Sequence, residues 1–561
     1  MKRKWLSRTL ATTLATVMAT GMLAGCGDEK TPANSTETKT SSVSTETQST
    51  AASETEVVEG EFTYPVDTDV KISYYIAGNN MEKTDKYVDY NDVPFYKGLS
   101  EKTGIEVDWQ APVVGADKAA AYNLLLQEEV LPTIIYNSGI TASSVQQLYI
   151  DGLIQDLTDY LPEYAPDFWE WINDPAHEAD KLAVTNDEGR FLYIPAARES
   201  EFLITYLGPV IRQDWLEEQN LDMPVTLEDW ENVLTVFKEK YNAKLGFKLG
   251  RFNVGGALAS GTGAHGGLEL KYYVEDGEIK ANVTDPAWKE LVTVLNRWHE
   301  AGLIDADFTT AGDPEVRTKA LNNELGVVVT AMSQLTNFIK DAEAEGTGAE
   351  WVGFDYPRTA AGEPTSYINT EATLVKATTG CVVTTSATEE ELIAALQFLN
   401  YGYDEEGMIY NNFGEEGVSH TVAADGSHQF TDLILKDERG INDALKDYTG
   451  VAMNGGSFLV LAEFNKNKND EASIAAVDIW TSNNVAAQYL VPPFTRTEDE
   501  QILYTDLHAV LNTYVSEMAL KFVTGEESLV KFDDFLKQVE AYRLSDLLAS
   551  EQAAYDRYVN R

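Results

Sequence analysis

The chain has 561 residues, 43% of them hydrophobic, enough for a large buried core spread over several domains or two large ones. It carries 42 Lys and Arg against 91 Asp and Glu, a formal charge of −49, which repels phosphate backbones and excludes nucleic acid as a partner. Its two cysteines cannot build a disulfide framework.

Residues 1–26 read as a targeting segment. Lys2, Arg3, Lys4 and Arg8 form a positive stretch, and Leu10 to Met22 is apolar or small but too short to span a bilayer as a stable helix. Leu23-Ala24-Gly25-Cys26 then resembles the lipobox of bacterial lipoproteins, where the cysteine thiol is acylated and becomes the new N-terminus. Two or three acyl chains on Cys26, palmitate among them, exceed what stable anchoring needs, so the expected location is the outer face of the bacterial cytoplasmic membrane. Residues 27–60 are rich in Ser, Thr and Glu and nearly free of large apolar side chains. They are predicted to be a disordered tether reaching roughly 30 Å.

Val70 to Ile76 alternates like a strand, Ile105 to Trp109 is a second, and Leu131 to Tyr136 a third, with helical stretches between them. Strands alternating with helices argue for α/β architecture with covered sheets. Farther on, Thr226-x-x-Asp229 and Thr388-x-x-Glu391 read as capping boxes, and Asp285-Pro286 as a cap followed by proline at the first helical position. Leu507, Val510, Leu511, Tyr514 and Met518 stripe a helix that stops near Gly525. Cys381, in Gly380-Cys381-Val382-Val383, reads as a buried structural thiol.

Most chemistry motifs fail on their context. Gly261-Thr-Gly263-Ala-His265-Gly266 matches GxGxxG, but no strand leads into it and no helix opens from it, so it reads as a glycine-rich loop. The six histidines show no metal spacing, and no cofactor is expected. Asn465-Lys-Asn467-Lys-Asn469 alternates like a calcium loop, yet Asp470 and Ala476 stand where the turn glycine and the bidentate glutamate belong, so it reads as a polar loop. Trp215, Trp230, Trp288 and Trp298 fall in helical patterns and read as core, and Trp169 and Trp171 fit either reading. Trp109, Trp351 and Trp480 lie beside polar residues at strand ends or in loops, where a ring is free to stack on a ligand.

Four groups of stretches follow one another along the chain: Leu131-Pro-Thr-Ile-Ile-Tyr136 with Gly152-Leu-Ile-Gln-Asp-Leu-Thr158; Phe191-Leu-Tyr-Ile-Pro195 with Val210-Ile-Arg-Gln-Asp-Trp-Leu216 and Pro224-Val-Thr-Leu-Glu-Asp-Trp230; Ala301-Gly-Leu-Ile-Asp305; and Leu399-Asn-Tyr-Gly-Tyr403 through Asn412-Phe-Gly-Glu-Glu-Gly417. In this order they resemble the extracellular solute-binding proteins of family 1, the carbohydrate-binding lipoproteins of bacterial ABC importers, and the chain's length resembles that family's long oligosaccharide-binding branch.

The resemblance implies a periplasmic-binding-protein-like fold: two α/β lobes with a central ligand cleft and hinge crossings. Residues 61–205 plus 351–385 are expected to form the N-terminal lobe and 206–350 plus 386–561 the C-terminal lobe. Ligand contacts are expected at loops after the first and third strands, which hold Asn79 and Asn80, and Tyr136, Asn137 and Ser138, in keeping with ligand binding beyond strand carboxyl ends. The second lobe's Gly-Pro-Trp-like turn is replaced by Ala331-Met332-Ser333-Gln334, so the aromatic platform comes from elsewhere, such as Trp480, or is weaker, and Trp109 is a separate candidate contact. Arg198 and Arg251, rare cations here, either meet a uronic acid or form structural ion pairs, and His265 lies in the glycine-rich loop. Tyr241-Asn-Ala-Lys-Leu-Gly246 lacks the acids of the calcium loop some long members carry, so no calcium is expected there.

The implied activity is reversible capture of an oligosaccharide, without chemistry on it, by a monomeric clamp that delivers it to the transmembrane permease subunits of an ABC importer. Two alternatives stand beside it: a surface glycoside hydrolase, since 91 acids leave room for a carboxylate pair, and a peptide-binding or adhesion lipoprotein.

Overall fold

The computed structural model describes residues 63–561 apart from 78–85, 88, 114, 138, 140–141, 247–253, 377–378 and 454. The expected leader, Cys26 and the tether lie outside the described residues, as do Asn79, Asn80, Ser138 and Arg251.

Three parallel strands open the fold: β1 (Lys71–Ile76), β2 (Glu106–Gln110) and β3 (Ile134–Asn137), with Tyr74 in register with Trp109 on one side and Ile134 on the other. They agree with the three strands read from the sequence. Two short strands follow, β4 (Ile194–Pro195) and β5 (Ala197–Arg198). The chain then builds a second sheet from β6 (Leu207–Arg212) and β7 (Lys244–Gly246). A hairpin, β8 (Tyr272–Glu275) and β9 (Glu278–Ala281), precedes the remaining members β10 (Leu325–Ala331) and β11 (Trp351–Gly353). β12 (Gly380–Val383) returns to the first sheet and runs antiparallel to β3, placing Cys381 opposite Tyr136. A second hairpin, β13 (His420–Val422) and β14 (His428–Phe430), is followed by β15 (Leu459–Val460), which pairs with β5. The strand orders are β2-β1-β3-β12-β4 and β11-β6-β10-β7.

Each sheet has its own core. β10 reads Leu-Gly-Val-Val-Val-Thr-Ala and β6 is buried along its whole length, as strands covered on both faces must be. Helix Pro286–Glu300 shows how its sequence sets its packing. The Asp285 carboxylate accepts from the Ala287 N–H at 2.8 Å, Pro286 starts the helix, and Trp288, Leu291, Val292, Leu295 and Trp298 form one fully buried face. The capping boxes at Thr226 and Thr388 are both present, each with reciprocal hydrogen bonds. Helix Glu498–Thr524 ends on left-handed Gly525, and its buried residues are Leu511, Val515, Ala519, Phe522 and Val523, while Val510 of the expected stripe is exposed.

Pairing and packing divide the chain differently from the sequence expectation at two points. Trp351–Gly353 pairs with β6 and Trp351 packs on Phe338, so this stretch belongs to the second sheet and not the first lobe. Helix Glu389–Asn400, with Leu392, Leu396 and Leu399, packs in the first sheet's core, as do Tyr401, Tyr403 and Tyr410, and not in the second lobe. The chain therefore passes between the bodies three times: after β5, between β11 and β12, and between β15 and helix Glu471–Thr481, whose Ala476, Val477 and Trp480 lie in the second core.

Among the described residues no helix is long and apolar enough to cross a membrane, and no group of His, Cys, Asp or Glu is placed to hold a metal ion.

Candidate ligand-binding cleft

A cavity of about 620 Å³ lies between the two bodies. Its floor on one side is the start of β12 and the segment before it, with Lys376 and Thr379; the opposite wall is the end of β10, with Ala331, Met332 and Ser333. The crossing after β5 contributes Arg198, Phe202 and Tyr206, and the stretch from Asn442 to Lys468 closes the remaining side with Lys446, Phe464, Asn465 and Lys468. A second hollow of about 650 Å³ opens at the carboxyl ends of β1 and β3, where Ala77, Tyr122, Gly139 and Gln147 face Gln501 of the second body's long helix.

Arg198 is buried, and its two terminal nitrogens donate to the two Glu371 oxygens, both at 2.8 Å. Its backbone N–H donates to the Leu374 carbonyl, and that of the next residue, Glu199, to the Val460 carbonyl, tying the three crossings together at the cleft. Of the two sequence readings for Arg198, the ion pair is the one the geometry shows, at the cavity wall. Thr205 Oγ1 donates to Thr370 Oγ1 at 2.7 Å, a further bond between the first two crossings.

Helix Met332–Glu345 starts at the cavity. Its N-cap, Ala331, offers no side chain to the first turn, that turn carries no acid, and Ser333 lines the cavity. The Met332 N–H is taken by the Tyr206 carbonyl. Gln334 lies beside Ser333 on the same turn, where its side-chain oxygen accepts from Asn337 at 3.2 Å, and does not line the cavity.

The Asn465–Asn469 stretch is helical and not a polar loop: helix Ala462–Lys468 contains all but its last residue. Its three asparagines do separate work. Asn465 lines the cavity, the Asn467 amide donates to the His428 carbonyl at 2.7 Å, and Asn469 accepts from Thr336 Oγ1 at 3.0 Å. Lys468 points its ammonium toward the Phe464 ring, 5.3 Å from the centroid, and burial pushes its pKa down to about 8.

The tryptophans assigned to ligand stacking are structural. Trp109 is buried against Tyr74 and Tyr96, with ring centroids at 4.7 and 4.4 Å. Trp480 is fully buried on β6, where its indole N–H donates to the Pro209 carbonyl at 3.1 Å and its ring lies over Gly208. Trp351 is buried under Phe338 and the Arg212 guanidinium. Tyr136 is fully buried in β3 and turned into the first core, its hydroxyl without a hydrogen-bond partner among the described residues, and burial raises its pKa. Asn137 ends the same strand. His265 is wedged between Tyr273 and Tyr489, at 4.5 and 4.0 Å, and burial lowers its pKa; it lines neither cavity. The half-buried rings that do face the cavity are Phe202 and Tyr206, which sequence reading missed. Their signal was an aromatic pair within eight residues of Arg198, in a segment with no helix or strand period. Cys381 is buried as expected, its thiol pushed up to about 12 and 2.9 Å from the Tyr74 hydroxyl.

Two sheets with separate cores, three crossings and a cavity between them are the architecture of the periplasmic-binding-protein-like solute-binding proteins. No family model matches the chain. It is 24% identical to Lipoprotein LipO of Bacillus subtilis over 461 residues, covering 79% of this chain and 84% of that protein. It is 21% identical over 534 residues to FusA, the fructooligosaccharide ABC transporter substrate-binding protein of Streptococcus pneumoniae serotype 4, covering 91% of this chain and 94% of FusA. The crystal structure of the alginate-binding protein AlgQ2 without calcium ion superposes with a TM-score of 0.68 at 19% identity, over 89% of this chain and all of that one, which shows a shared fold.

Proposed function

We propose that this chain is the lipid-anchored substrate-binding protein of a bacterial ABC importer, which captures an oligosaccharide between its two lobes and hands it unaltered to the membrane permease. The observation that carries the reading is the cavity of about 620 Å³ at the three crossings, a volume in the range of small-molecule sites and open to both bodies. Phe202 and Tyr206 offer half-buried rings for sugar faces, and Arg198, Ser333, Asn465 and Lys468 offer polar groups for hydroxyls. Asn79, Asn80, Ser138 and Arg251, which lie outside the described residues, stay with Asn137 as candidate contacts, and Gln334 does not line the cavity. Trp109, Tyr136, Trp480 and His265 serve as scaffold. The names of FusA and AlgQ2 support the carbohydrate class.

The lobes hinge on the three crossings, with the ligand shifting an open–closed equilibrium toward closed. Acylated Cys26 moors the monomer to the outer face of the cytoplasmic membrane, and the segment 27–60 spaces it from the surface. The test is calorimetry of the chain against an oligosaccharide panel, with small-angle scattering of each tight binder. Binding with a smaller radius of gyration supports the reading. Tight binding without contraction removes the clamp, and cleavage of the panel would replace the binder with a hydrolase.

A further inference from the structure

The chain carries more than two acids for every base, yet the cavity wall reverses that ratio. Its charged lining residues are Arg198, Lys376, Lys446 and Lys468 against one acid, Glu371. Glu371 is committed to Arg198, and Lys446 is paired with Asp443. Lys468 has no carboxylate within ion-pair distance among the described residues, and its ammonium is set against the apolar Phe464 ring. A half-buried ammonium without a counter-charge is costly, and 91 acids offered many ways to provide one.

The helix start at the same wall has the same sign. Helices beginning at Leu227, Glu389 and Glu498 carry two or three acids in the first turn and a threonine cap, whereas helix Met332–Glu345 has neither, and its Ser333 faces the cavity. Beyond the Met332 N–H, which the Tyr206 carbonyl takes, that terminus has no side-chain cap and no acid to offset its partial positive charge.

We infer that the cleft takes an acidic glycan, a uronate-containing oligosaccharide whose carboxylate completes the ion pair that Lys468 lacks and lies near the first turn of helix Met332–Glu345. The inference rests on the oligosaccharide reading and adds the ligand's charge. Phe202 and Tyr206 take the sugar faces, and Arg198, neutralised by Glu371, is not the main contact.

The experiment uses the full chain and matched probe pairs: galacturonate, mannuronate and glucuronate oligosaccharides, each beside its carboxyl-reduced neutral counterpart, in calorimetry at low and at high salt. At least one acidic member binds, its neutral counterpart binds about tenfold more weakly or worse, and salt weakens the acidic one. Lys468→Met lowers affinity for the acid about tenfold with a melting temperature near that of the parent, and Lys468→Arg keeps most of it. A neutral counterpart bound as tightly, or a Lys468→Met protein of unchanged affinity, overturns the charge assignment while leaving the oligosaccharide reading intact. Binding of no probe in either arm overturns the acidic-glycan inference, and the oligosaccharide reading falls only if the wider panel is also unbound.

Discussion

Arg198 and Glu371 meet in a two-point ion pair at 2.8 Å that joins the crossing after β5 to the crossing before β12. The guanidinium is buried and the carboxylate is 42% exposed, so the pair sits where the hinge meets the cavity. Its position ties the relative setting of two crossings to the wall that the ligand is proposed to touch.

Glu371→Gln is expected to lower stability by about 1 kcal/mol, since the buried guanidinium keeps a neutral acceptor in place of a charged one and the exposed side of the pair is already screened. Urea unfolding of the variant beside the parent checks this. A larger effect on ligand-induced contraction than on stability would mark the pair as part of the hinge.

Phe202→Ala is expected to weaken oligosaccharide binding about tenfold, the loss of one stacked ring face, with a smaller change in melting temperature because the ring is only half-buried. Calorimetry with any panel member that binds the parent reads the first effect, and a thermal melt reads the second.

Gly208→Ala is expected to destabilise the protein by about 1–3 kcal/mol, because a Cβ there would lie 2.4 Å from the buried Trp480 ring, which has no room to withdraw. Chemical denaturation measures the cost. A neutral substitution would show that the indole can move, and with it that helix Glu471–Thr481 is less firmly seated on β6 than its burial implies.

The Lys468 ammonium titrates near 8 in the fold and near the ordinary lysine value when unfolded, so between those limits the unfolded state binds more protons. Its contribution to stability therefore rises as pH climbs from about 8 toward 10, the burial penalty on the charge disappearing as the proton leaves. Arg198, Lys376 and Lys446 face the same cavity, Arg198 paired with Glu371 and Lys446 with Asp443, and burial is the cause of the Lys468 shift. The difference in unfolding free energy between parent and Lys468→Met, followed from pH 7 to 10, isolates this slope from the alkaline loss caused by buried tyrosines such as Tyr74, whose pKa burial raises. Affinity for an acidic ligand should fall over the same window, because the contact is lost with the proton.

The elements were legible where one segment decides its own structure. Thr226, Asp285 and Thr388 cap helices because a side-chain oxygen and the first-turn amides lie within three residues of each other. The tryptophans were misjudged although their own neighbours carried the signal. Val107 and Trp109 alternate onto the inner face of β2, and Ser473, Ala476, Val477 and Trp480 recur at helical spacing. The polar residues beside them fall on the opposite faces, which proximity in sequence conceals. The cavity was less legible for a different reason. Arg198, Ser333, Lys376 and Lys468 come from four distant segments, and only the pairing of β5 with β15 and the return of β12 bring them to one place. A lysine in a chain of many charges carries no mark of its missing partner until that assembly exists.

The late return of β12 bears on how the molecule must be made. The first sheet has a gap between β3 and β4 until residue 383 has been synthesised, and its core waits further for helix Glu389–Asn400. The second core is sealed later still, by helices reaching past residue 540. Neither half can mature from a nascent fragment, so cutting the gene at either lobe boundary should yield aggregation-prone pieces, and ribosome-stalled chains shorter than about 400 residues should remain open to protease throughout.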